Sequence, residues 1–92
     1  MTHVFKIWPE YYRAVLERRK QFEVRKKRPM VAYCVGDIII LYEFDPSSDK
    51  YTGRIWTGVI TFVLDDERFC KEGFAILGIK ETKCDTSFIL TT

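Results

Sequence analysis

Apolar and polar positions alternate in strand-length runs along most of the chain, interrupted once by a stretch at helical spacing. His3 to Ile7 alternates as a short strand, and Trp8-Pro9 marks a switch. Pro9 suits the first turn of a helix, where the amide hydrogen it lacks would have no intrahelical partner. From Glu10 to about Arg19, Tyr12, Val15 and Leu16 fall on one stripe; Glu10 suits the positive end of this helix, and Arg18, Arg19 and Lys20 the negative end. Phe22 to Lys26 then alternates like a half-buried strand. If Phe22 and Val24 point into the core, Gln21, Glu23 and Arg25 share the opposite face.

Lys27 to Val35, with Pro29 inside, reads as a basic loop leading to a turn at Gly36-Asp37. There glycine permits the turn and aspartate hydrogen-bonds nearby backbone amides. Ile38 to Phe44 is a strongly apolar strand, and Asp45 to Lys50 a turn cluster. Tyr51-Thr52-Gly53-Arg54 reads as part of a hairpin turn, and Arg54 to Leu64 as a long β-branched strand in which Gly58 marks a bulge or barrel corner. These two strands are expected to pair as a hairpin. Asp65 to Arg68 is a charged connection of about one helical turn, and Phe74 to Lys80 a further strand. The tail from Glu81 to Thr92 carries Phe88-Ile89-Leu90, enough for a short strand or a docked extension. The expectation is a mainly β chain with one main helix, α+β in class: a small, closed or nearly closed barrel of about five strands, plugged or flanked by the helix.

The 92 residues suit a single domain over 1–92, with a core of about 3–80 and a carboxy-terminal extension of 81–92. A hydrophobic fraction of 47% supplies a core. Cys34, Cys70 and Cys84 are odd in number and contain no Cys-x-x-Cys pair, which indicates neither a disulfide framework nor a metal site; reduced thiols in a cytoplasmic protein are expected. The amino terminus lacks a signal-peptide hydrophobic region, and the longest apolar runs are far too short to cross a bilayer. No cofactor is expected.

Charge changes the picture most. Arg13 to Arg28 holds eight basic residues against Glu17 and Glu23, a balance of +6 within a net charge of only +2. One face is therefore expected to be positive and to attract anions. Lys26, Lys27 and Arg28 read either as a solvated loop or as a phosphate contact acting through counterion release. Glu23 and Arg25 read either as a surface ion pair or as cleft residues. Arg54 is placed to reach a phosphate from the start of its strand, although a purely architectural role competes. Trp8 and Tyr33, flanking the basic stretch, are the candidates for stacking on a base, and Glu43 is the other strand-borne carboxylate that suits a partner acid. His3, the sole histidine, reads as a surface or strand residue.

The ordered combination Lys20-x-x-Glu23-x-Arg25, Val35-Gly36-Asp37 and Tyr51-Thr52-Gly53-Arg54, with Pro9-Glu10-Tyr11-Tyr12 before it and Leu77-Gly78-Ile79 after it, resembles the ASCH superfamily within the PUA-like fold. It is similar in particular to a group of short, functionally uncharacterised bacterial and phage ASCH-like domains. The resemblance covers roughly Val4 to Lys80 and implies a pseudo-β-barrel of five or six strands with a cleft for RNA, a nucleotide or a nucleoside. Some ASCH-like relatives hydrolyse acetylated cytidine with a Lys, a Thr and a Glu, and others have been described as ribonucleases. By position, Lys20 would match the catalytic lysine and Arg25 the arginine that completes the motif, but Glu23 stands where those amidohydrolases have threonine. Arg18 stands where relatives usually have glycine.

Two expectations follow. In the first, the chain is an RNA- or nucleotide-binding module of RNA metabolism or its regulation; Lys20, Arg25 and the Lys26, Lys27 and Arg28 loop hold phosphate, and Glu23 accepts hydrogen bonds from a base edge or ribose. In the alternative it is a small hydrolase of a modified nucleoside or of RNA, with Glu23 activating water and Lys20, Arg25 or both stabilising negative charge. A protein partner for the basic face stays open.

Overall fold

The computed structural model describes residues 1–82. In chain order it contains strand Thr2–Ile7 (β1), helix Pro9–Leu16 (α1), and strands Phe22–Lys26 (β2), Ile38–Asp45 (β3), Lys50–Leu64 (β4) and Phe74–Glu81 (β5). The strands form one five-stranded sheet in the order β1-β3-β4-β5-β2, with β1 parallel to β3 and every other pair antiparallel. The chain is mainly β with one short helix, and its sheet curls into a half barrel. Consecutive strands β1 and β2 thus lie on the two outer edges, joined by α1, and the curl brings those edges across from each other. Arg25 of β2 reaches over the gap to donate from Nη2 to the Lys6 carbonyl of β1, 3.2 Å away. No helix among the described residues is long and apolar enough to cross a membrane.

The concave side holds the core: Phe5 and Ile7 of β1, Ile39 and Leu41 of β3, Trp56 and Ile60 of β4, and Ala75, Leu77 and Ile79 of β5, covered by Tyr12 and Val15 of α1. Ile39, Leu41, Ile60 and Leu77 are each less than 2% exposed, and full burial of such a side chain is worth about 1.5–3 kcal/mol. The expected β3–β4 hairpin forms. Its turn is confined to the Asp45–Lys50 cluster, however, so Tyr51 to Arg54 belongs to β4 and not to the turn, with Phe44 opposite Tyr51 and Asp45 opposite Lys50. The bulge expected at Gly58 lies instead between Ile60 and Phe62. Gly58 has a different reason to be glycine: a Cβ there would collide with the Trp56 ring and the Lys80 carbonyl.

Helix α1 is shorter than its periodicity suggested. Arg18 adopts the left-handed conformation at φ 63°, its amide donating to the Val15 carbonyl (3.0 Å) while the Arg19 amide donates to that of Ala14 (2.9 Å). This Schellman arrangement ends the helix. Leu16 consequently points out, 53% exposed, and the buried stripe consists of Tyr12 and Val15. After Asp65, the charged connection makes a hydrogen-bonded turn in which the Cys70 amide donates to the Asp66 carbonyl (2.9 Å). At Gly36-Asp37 the expected chemistry is found: Gly36 has φ 95° and Asp37 Oδ2 accepts the Cys34 amide at 3.0 Å. Phe88-Ile89-Leu90 and Cys84 lie outside the described residues.

Candidate functional site

The turn that ends α1 also delivers Lys20. Its amide donates to the Ala14 carbonyl (3.0 Å), and two residues later β2 begins. In β2 the expected orientation is inverted. Phe22 and Val24 face outward, 44% and 48% exposed, whereas Glu23 is 3% exposed and points into the curl. The reason is electrostatic. A carboxylate is buried only where its hydrogen bonds and its charge are both met, and the concave side of the seam meets them: Lys20 Nζ donates to Glu23 Oε1 at 2.6 Å, and Arg25 donates to Oε2 from Nε at 3.0 Å and from Nη2 at 2.8 Å. Apolar alternation assigns the hydrophobic pair inward because it cannot register that three charged side chains satisfy one another.

Each cation of this clamp is itself held. Lys20 Nζ also donates to the Phe22 carbonyl at 2.7 Å, and the Arg25 guanidinium lies 4.3 Å from the Phe5 ring centroid. Two positive groups against one carboxylate leave the cluster with a balance of +1. Each retains donor capacity: an ammonium has three N–H groups and a guanidinium five. With Lys6, Ile7, Trp8, Tyr11 and Val24, the clamp lines a pocket of about 320 Å³ between the two sheet edges. Trp8 and Tyr11, both 48% exposed, stack over one wall with their rings 6.4 Å apart and 22° from parallel. Lys20 also lines a neighbouring cleft of about 700 Å³ between the end of α1 and strands β4 and β5.

The other candidates separate. Lys26 and Arg28 are exposed on the chain leaving the pocket, and Lys27 pairs with Asp65 at 2.9 Å. Tyr33, expected to stack on a base, is not beside the pocket: its hydroxyl donates to the Lys26 carbonyl (2.9 Å) and its ring packs edge-on against His3 and Phe5. Arg54 is away from the clamp as well. It donates from Nε to Glu43 Oε1 at 2.8 Å, and Thr52 donates to the same oxygen at 2.5 Å. Burial pushes the Glu43 carboxyl up, but the Thr52 and Arg54 hydrogen bonds outweigh it and hold the group below its usual range. Glu43 is therefore the centre of a second buried cluster and does not partner Glu23.

His3 is a strand residue of β1, as expected, and is buried there and not on the surface. Its Nε2 lies 2.8 Å from Asp37 Oδ2, and the amino terminus donates to Oδ1 at 3.2 Å. Sequence reasoning missed Lys6 and Tyr11 as pocket residues. Both follow once β1 is known to be an edge strand, because the end of an edge strand and the first turn of the helix after it border the same opening. Among the described residues, no group of three or more His, Cys, Asp or Glu side chains is arranged to hold a metal ion.

A family model described as a domain of unknown function (DUF3850) matches residues 2–79. No curated protein matches the chain.

Proposed function

We propose that this chain, which belongs to the DUF3850 family, is an RNA- or nucleotide-binding module whose ligand enters the seam between β1 and β2, and that its half barrel is the PUA-like, ASCH-type barrel its motifs resemble. The observation that carries the reading is the clamp of Lys20 and Arg25 on the buried Glu23, opening onto the exposed Trp8–Tyr11 pair. A fixed excess of positive charge suits a phosphate, and an accessible ring face beside it suits a base; together they are the two components of single-strand recognition. Lys26 and Arg28 extend the positive rim along which a longer anion would run.

The hydrolytic alternative asks more of Glu23. A general base needs a free lone pair directed at water, and both oxygens of Glu23 already accept from cations. The same arrangement fits a carboxylate whose task is to orient Lys20 and Arg25. Binding of nucleosides, nucleotides and short RNA to the full chain, followed at two salt concentrations with products checked by mass, tests the reading. Affinity is expected to fall steeply with salt and to drop at least about tenfold in Trp8→Ala, the loss of one stacked base. Salt-independent behaviour with no affinity for any of these ligands would overturn it, and turnover lost in Glu23→Gln would replace binding with catalysis.

A further inference from the structure

We propose a second ring-and-phosphate subsite, built on Tyr51 and Arg54 over the buried Glu43, which makes the ligand a single-stranded oligonucleotide and not a lone nucleotide; the proposal rests on the seam reading above. The Glu43 side chain is 4% exposed and its Oε1 accepts both Thr52 Oγ1 and Arg54 Nε. The Arg54 side chain remains 68% exposed. Its Nε is anchored from below, and its two terminal amino groups meet no hydrogen-bond partner among the described residues. A guanidinium fixed by a buried acid in this way presents a pre-oriented fork of the shape that matches phosphate oxygens. The Glu43 hydrogen bond also raises the Arg54 pKa further, so the fork stays charged.

Beside it lies an open apolar pocket of about 540 Å³, floored by Val4, Tyr42 and Ile55 and bordered by Tyr51, which is 60% exposed. The Tyr51 ring meets Phe44 edge-on at 5.1 Å and Tyr42 at 6.2 Å and remains accessible. Lys6 joins the two sites. It lines the seam pocket, and its Nζ sits 4.5 Å from the centroid of Phe44, the ring against which Tyr51 packs. Val4 of the second pocket and Lys6 of the first are two residues apart on β1, about 7 Å. Ring, cation, ring and cation thus follow one another as Trp8, Lys6, Tyr51 and Arg54. That is the alternation of base and phosphate along a single strand; an acidic peptide offers the charges without the stacking faces.

The test titrates the full chain at low salt with uridine 5′-monophosphate and with oligouridylates of increasing length, alongside polyglutamate of matched charge. Oligouridylate is expected to bind at least about tenfold more tightly than the monophosphate, the contribution of one more stacked base. Tyr51→Ala should remove that gain while leaving the monophosphate bound, whereas Trp8→Ala should weaken both. If the monophosphate binds and length adds nothing, or the gain survives in Tyr51→Ala, the second subsite falls and the seam reading stands. If length dependence requires Tyr51 but Trp8→Ala changes nothing, the seam reading falls instead. Failure of every uridylate to bind overturns both, and polyglutamate binding as tightly as oligouridylate overturns the second subsite in favour of an acidic protein partner.

Discussion

Glu23 shows how a single carboxylate organises its surroundings. It is buried with a cation on each oxygen, so removing one cation leaves one buried oxygen without its partner. Breaking one side of such a pair costs about 3–5 kcal/mol. Arg25→Met is therefore expected to lower the urea midpoint by an amount corresponding to about 3 kcal/mol, since Lys20 still holds the other oxygen, whereas the exposed Trp8→Ala should shift it by less than about 0.5 kcal/mol. Asp37 makes a different prediction. His3, the Cys34 amide and the amino terminus, in that order, hold its carboxyl at about 2, below the ordinary value of 3.8. A carboxyl depressed on folding stabilises fully above its unfolded pKa and loses that contribution as pH falls through its folded one. Thermal midpoints of the wild type should accordingly fall as the pH is lowered from about 4 to about 2, and Asp37→Asn should flatten that limb.

At the scale of elements, the strands were legible because each contains an apolar or alternating run, and the helix because Pro9 and the spacing of Tyr12 and Val15 mark it. The extent of α1 was not. Arg18 carries no local signal for the left-handed region, which a residue with a Cβ enters at a cost of about 1 kcal/mol or more. A glycine at this position would avoid that cost. Arg18→Gly is thus expected to raise stability by about 1 kcal/mol in denaturant titrations, with only a weak exposed contact to Glu81 lost. The site was legible in its members and hidden in its orientation: Lys20, Glu23 and Arg25 do meet, but on the concave face, because mutual satisfaction of charge outweighs the apolar pull of Phe22 and Val24. Tyr33 was misplaced for a related reason. Proximity in sequence to a basic run says nothing about which edge of a curled sheet a residue reaches.

For the molecule as a whole, the decisive feature is that the sheet formed by the described residues does not close. Among these residues β3, β4 and β5 are paired on both sides along their centres, while β1 and β2 each pair on one side only. Hydrogen exchange should reflect this. The central amides of β3 and β4 are expected to exchange at the rate of global unfolding, and the seam-facing amides of β1 and β2 orders of magnitude faster; uniform protection across all five strands would contradict an open seam. A bound oligonucleotide should slow the fast set selectively. Unpaired edges are also where separate molecules join, sheet to sheet, and proteins guard them with charge. Here Lys26 and Arg28, exposed at and just beyond the end of β2, supply that guard. Two copies approaching through this edge repel each other only while those charges stand uncancelled. A long polyanion that coats them would switch off the repulsion, so if the proposed ligand binds, resistance of this chain to intermolecular strand addition would depend on its occupancy.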